Sequence, residues 1–167
     1  MKSKLFNNLV LFSLFGISLY FFGILYEGIV YGPKLLNISM ERMLFWKSFT
    51  SIISPIIYYV PWVYLATIIL LILYFKTPKQ KTELKKQLGI ASIFQIASLV
   101  LTIYILTQIN FKLRFGNLEK YADTIPGKTF LFNILSILRV VLAATGLTFS
   151  FKAFIQTQKS ENQPALQ

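Results

Sequence analysis

Four stretches of this chain are each apolar for about the 20 residues that a helix needs to cross roughly 30 Å of hydrocarbon. They run over residues 5–31, 52–75, 88–110 and 130–151. The first is interrupted by strongly polar groups only at Asn7, Asn8 and Glu27, and Gly32-Pro33 is expected to stop it. A helix on a soluble domain keeps one polar face, whereas these stretches are apolar nearly all round. The expected fold is all-α: an integral membrane, antiparallel four-helix bundle over residues 1–155, followed by a polar, flexible tail over 156–167. A transmembrane β-barrel would need alternating strands of about ten residues, and no such alternation is sustained. The first stretch exceeds the 7–15 apolar residues of a signal peptide and continues as Tyr26-Glu27-Gly28 with no small-residue cleavage site, so it reads as a retained helix.

Composition narrows the chemistry. Of 167 residues, 14% are charged, against about 25% in an ordinary soluble domain. With no Cys and no His, the usual ligands of zinc, haem, copper and iron–sulfur centres are missing. So are the bases and nucleophiles of Ser-His-Asp and Cys-His catalysis. No phosphate-binding glycine loop or carboxylate pair is present either. No metal and no cofactor is therefore expected. The net charge of +11 is spread over loops and tails and forms no stripe for a nucleic-acid backbone. It fits anionic lipid headgroups.

Orientation follows from Lys and Arg in the short loops. The N-terminus, the loop with Lys76, Lys79, Lys81, Lys85 and Lys86, and the tail together carry nine lysines, against seven Lys and Arg in the other two loops. This bias predicts that the N- and C-termini of a multi-pass membrane protein are both cytoplasmic. Residues 34–50 place Leu35, Leu36, Met40, Met43 and Leu44 between charges and read as a short interfacial helix anchored by Trp46. The alternating segment Phe111-Lys112-Leu113-Arg114-Phe115 also suits an interface.

Within the spans the informative residues are polar. Arg139 stands about 14 Å down the fourth helix at 1.5 Å per residue. A guanidinium at that depth costs about 2.5–3.5 kcal/mol unless it is paired or wet. Glu27, about one turn from the end of the first span, is the one acidic residue within the spans. Between antiparallel neighbours it would sit about 8–10 Å from Arg139 along the axis, a gap that the long side chain, tilt and a water can close. The two are expected to be coupled. Thr102, Thr107, Gln108 and Asn110 close the third span on that side, and Asn133 and Ser136 open the fourth. The second span enters with Pro55, Tyr58, Tyr59, Pro61, Trp62 and Tyr64, where two prolines would bend the helix. Arg139, Glu27, Asn110, Ser136, Asn133, Tyr58 and Tyr59 are the candidate lining of a pocket in the outer half of the membrane.

Plainer roles compete with this reading. Tyr20, Tyr26, Tyr31 and Trp62 fit an aromatic belt, Asn110 a helix cap, and Ser136 and Thr102 bonds within their own helices. Gln95 reads as a helix–helix hydrogen bond, and Gly16 with Gly23 as a small-residue stripe for close packing. Glu27 with Arg139 is either a functional pair or a clamp.

The segments Thr102…Ile109-Asn110-Phe111-Lys112-Leu113 and Leu135-Ser136-Ile137-Leu138-Arg139-Val140 resemble the anthrone-oxygenase-like family of small four-helix membrane proteins. In that family the third helix tends to end in an Asn-containing turn and the fourth to carry Asn-x-x-Arg. The likeness covers about the last third of the chain, with a weaker similarity around Glu27. Ser136 stands where Asn is expected, and the usual Trp before it is missing. The resemblance implies a cofactor-independent, oxygenase-like membrane enzyme acting on polycyclic aromatic molecules.

Two functions remain open on the residues themselves. One is binding or transformation of a small apolar or aromatic molecule around Arg139. The other is a non-enzymatic subunit or scaffold in which the polar groups only hold helices together. A homo-oligomer, including a multimeric channel, is compatible with either. A transporter is disfavoured by the single acidic residue within the spans and the lack of an internal repeat.

Overall fold

In a computed structural model of the chain, residues 3–35, 41, 44, 47–48, 55–115 and 119–162 are described. They form α1 (Ser3–Leu35), α2 (Pro55–Lys76), α3 (Thr82–Tyr104) and α4 (Ile125–Asn162). A π-helical segment, Ile105–Phe115, continues α3, and a 3-10 segment, Glu119–Thr124, leads into α4. Among the described residues, four helices are long and apolar enough to cross a membrane: Lys4–Val30, Ile57–Lys76, Thr82–Lys112 and Pro126–Lys159.

The helices are apolar by hydropathy, yet each turns a distinct stripe inward at alternating steps of three and four residues. In α4 the buried positions are Thr129, Phe132, Ser136, Arg139, Ala143, Gly146, Ser150, Ala153 and Thr157. In α3 they include Leu88, Ala91, Gln95, Ser98 and Thr102, and in α2 Tyr59, Val63, Ala66, Leu70 and Leu73. In α1 they are Asn7, Val10, Ser13, Gly16, Ile17, Tyr20, Ile24 and Glu27. That spacing is the seam of knobs-into-holes helix packing. Small and polar residues fill much of it, while bulky apolar side chains such as Phe22, Ile29, Ile57, Phe75 and Ile137 face outward.

Around the shared interior, α1 packs on α2 and α4, and α3 on α4 and α2. Small residues set the approach of α1 to α2. A Cβ on Gly16 would stand 2.9 Å from the Ala66 Cβ and 3.0 Å from the Trp62 carbonyl oxygen, and one on Gly23 would collide with the Tyr59 ring. The expected role of Gly16 and Gly23 in close packing is thus realised against α2. An apolar cluster of Val10, Ile17, Leu70, Leu73, Leu84 and Leu88 fills the end of the interior near the α2–α3 connection. The polar side chains described below lie toward the other end.

Several boundaries differ from expectation. α1 passes Gly32-Pro33 and ends at Leu35. The missing Pro33 N–H leaves the Ile29 carbonyl without its helical partner. Pro55 opens the described part of α2, and Pro61 lies inside it. α4 runs to Asn162, well into the segment expected to be tail. At 1.5 Å per residue its 38 residues make about 57 Å, longer than a bilayer core. The stretch 111–115, expected to suit an interface, belongs to the π-helical segment. Of the expected interfacial helix over 34–50 only 34–35, 41, 44 and 47–48 are described, and Trp46 lies outside the described residues, as do 163–167.

Candidate functional site

A guanidinium buried in the interior of the bundle needs a partner, and α1 supplies it. Arg139 Nη2 donates to Glu27 Oε2 at 3.0 Å, with both residues 2% exposed. The pair joins the C-terminal part of α1 to the N-terminal part of α4 directly, with no water needed. Removing two charges from solvent is costly, and the attraction offsets that cost only when the remaining polar atoms are also satisfied. Here they are not. Glu27 Oε1 and Arg139 Nε are buried without a hydrogen-bond partner among the described residues. Unmet buried polar atoms of this kind are uncommon and ask for a cause.

Two tyrosines flank the pair, and both interact electrostatically with Glu27 and Arg139. Tyr59, on α2, packs its ring over Gly23, and its buried hydroxyl stands next to the Glu27 carboxylate without closing a well-formed hydrogen bond to it. Tyr20, on α1, meets Tyr59 edge-on with ring centroids 5.8 Å apart. The Tyr20 hydroxyl reaches across to α3, where it shares hydrogen bonds with Thr102 Oγ1 at 2.6 Å and Ser98 Oγ at 2.8 Å. Ser98 Oγ in turn donates to the Arg139 carbonyl at 3.2 Å. A chain of polar contacts thus runs from α1 through α3 to the backbone of α4 beside the ion pair.

Tyr20 is the residue that sequence reasoning misplaced. Assigned to an aromatic belt, it is wholly buried. A signal was present: Ser13, Gly16, Tyr20, Gly23 and Glu27 recur at steps of three and four, the period of an inward seam. A tyrosine in mid-span is also too deep for a belt at the membrane face.

The other candidates separate. Tyr59 faces inward, but its neighbour Tyr58 is 67% exposed, and Trp62 and Tyr64 are also exposed. Adjacent residues on a helix lie about 100° apart, and on α2 the inward direction falls on Tyr59. Asn110 is buried within the π-helical segment, not at a helix end, and follows the buried Ile109. The wider π turn lets consecutive residues share the inner face. Thr107 and Gln108 are exposed, and Gln108 accepts a hydrogen bond from Lys112 Nζ at 3.1 Å. Asn133 donates to the Thr129 carbonyl of its own helix. Gln95, in the other half, donates to the Ala143 carbonyl at 3.4 Å, the inter-helix bond expected of it.

Ser136 behaves unlike the other buried hydroxyls. Ser13, Thr67, Thr77, Ser92, Thr102, Thr129, Ser150 and Thr157 each donate to a carbonyl three or four residues earlier in their own helix. Ser136 Oγ is buried with no partner among the described residues. It borders a groove of about 520 Å³ between α1 and α4, lined also by Leu25, Gly28, Ile29, Asn133 and Ile137.

The site therefore holds a guanidinium N–H and the Ser136 hydroxyl without a hydrogen-bond partner among the described residues, and a Glu27 carboxylate oxygen and the Tyr59 hydroxyl that lie close together without a well-formed bond. Among the described residues no group of three acidic side chains gathers that could hold a metal ion. No family model matches the chain, and comparison with curated proteins and with solved structures finds no match.

Proposed function

We propose that the chain is a multi-pass membrane protein, an antiparallel four-helix bundle that binds a small, largely apolar molecule beside Glu27 and Arg139 in the outer half of the bilayer. The insertion is supported by an inside-out distribution of residues: polar groups line the interior and large apolar side chains cover the outside. The antiparallel order is supported by the pairing of Gly16 with Ala66 and of Gly23 with Tyr59, in which numbers rise along α1 as they fall along α2. Both termini on the cytoplasmic side, next to anionic headgroups, would follow from the five-lysine loop.

The observation that carries the binding reading is the set of unmet polar atoms on Glu27, Arg139 and Tyr59. An interior that only held helices together would be expected to close these bonds on itself. A ligand carbonyl can accept from Arg139 Nε and the Tyr59 hydroxyl, while a ligand hydroxyl can donate to Glu27 Oε1. The adjoining π-helical segment, a geometry frequent at functional sites, places Asn110 inside the same half. An oxygenase-like reaction on an aromatic molecule, as the family resemblance implies, would have these same groups to hold its substrate.

The test is native mass spectrometry of protein extracted from membranes in mild detergent. A small molecule should co-purify with the wild type and be lost in Tyr59→Phe, whose unfolding temperature should match that of wild type stripped of the molecule. Wild-type protein free of any small molecule, together with a Tyr59→Phe variant indistinguishable from it, would overturn the reading. The scaffold reading draws on the inter-helix bonds of Tyr20 and Gln95. It predicts that Arg139→Leu fails by loss of fold alone.

A further inference from the structure

The groove between α1 and α4 lies beside the ion pair, on the outer flank of the two helices, and none of the residues that line it is charged. Its one fully buried polar atom without a partner is Ser136 Oγ. Every other buried serine or threonine among the described residues has its hydroxyl engaged.

Depth identifies what that hydroxyl can meet. Ser136 stands six positions beyond residue 130, where the fourth apolar stretch begins, and three before Arg139. At 1.5 Å per residue this is about 9 Å, inside a hydrocarbon core of about 30 Å and below the level of the headgroups. The ester and headgroup atoms of a phospholipid stay at the interface, so its acyl tail brings no hydrogen-bonding group to that level. An ionised molecule would be left without a counter-charge there. We propose that the groove binds an uncharged, hydrocarbon-soluble molecule bearing a hydroxyl or carbonyl, of the prenol, sterol or quinone kind. It enters sideways from the bilayer and hydrogen-bonds to Ser136. This rests on the membrane-spanning, ligand-binding reading above and names its ligand class and its route of entry.

Gly28 provides a clean way to block the groove. A Cβ added there meets no atom within 4 Å, so a large side chain enters empty space and leaves Glu27 and Arg139 in place. The experiment uses the full-length protein in phosphatidylcholine nanodiscs, photolabelled with diazirine-bearing farnesol, with the matching hydrocarbon that lacks the hydroxyl, or with the matching carboxylate. Labelled residues are mapped by mass spectrometry. Farnesol is expected to label the groove, in competition with excess unlabelled farnesol. Gly28→Phe should abolish this labelling without lowering the unfolding temperature. Ser136→Ala should cut the preference for farnesol over the hydrocarbon about five- to tenfold, the loss of one hydrogen bond. Labelling spread evenly over the outward faces, insensitive to competitor and to Gly28→Phe, would overturn the proposal. So would a preference for the carboxylate. A co-purifying molecule that depends on Tyr59 while farnesol ignores the groove would sink this inference and leave the proposed function standing.

Discussion

The ring of Tyr59 rests on the bare Cα of Gly23, one turn before Glu27 on the same helix. This contact brings a phenol from α2 to the Glu27–Arg139 pair, because any side chain at residue 23 would occupy the volume of the ring. Gly23→Ala is therefore expected to push Tyr59 aside, at about 1–3 kcal/mol for the overpacked site. Loss of the co-purifying ligand should accompany the lower unfolding temperature. Tyr59→Phe in the same background should restore neither.

Glu27 and Arg139 should show strong coupling in a double-mutant cycle. Either Glu27→Leu or Arg139→Leu alone strands a buried charge and is expected to cost about 3–5 kcal/mol. The double variant buries no charge and should be more stable than either single one. Reversible unfolding in mixed detergent micelles reads the three values. Additive losses would mean that the two charges do not depend on each other.

The two interior tyrosines should respond differently to losing their hydroxyls. Tyr20→Phe breaks the bonds to Thr102 and Ser98 and should lower stability by about 0.6 kcal/mol, the typical value for a polar contact between membrane helices. Tyr59→Phe removes a hydroxyl that lies by the Glu27 carboxylate without a well-formed bond and should cost less stability than Tyr20→Phe. A larger loss at Tyr59 than at Tyr20 would contradict the hydrogen-bond assignment.

Glycine substitutions along α1 should change sign with position. Gly16→Ala meets the Ala66 Cβ at 2.9 Å and the Trp62 carbonyl oxygen at 3.0 Å. A backbone atom cannot move aside cheaply, so a loss of about 1–3 kcal/mol is expected. Gly28→Ala meets nothing and should gain about 0.5–1 kcal/mol from the lower entropy cost of ordering the backbone. Unfolding temperatures of the two variants, one down and one up, check both.

Much of this arrangement was legible in the chain. The positions of the four helices follow from hydropathy, which sums along the sequence and needs no neighbours. That Arg139 would seek Glu27 follows from the cost of an unpaired guanidinium, with no other carboxylate within the spans. Less visible was the direction each helix faces. Near-uniform hydropathy hides a seam, and only the three-and-four recurrence of Ser13, Gly16, Tyr20, Gly23 and Glu27 marks it. A helix end was misread at Pro33, which was taken as a stop although α1 runs through it to Leu35.

The sequence by itself determined that four long apolar helices form and that one buried cation must find one buried anion, since both follow from the free energy of transferring single groups out of water. The tertiary structure alone decided that Tyr59 and not Tyr58 joins them, that Tyr20 bonds to α3, and that Ser136 is left to face a groove. Those outcomes depend on how closely neighbouring helices approach. That distance is set by pairs such as Gly23 with Tyr59 and Gly16 with Ala66, whose members lie far apart along the chain.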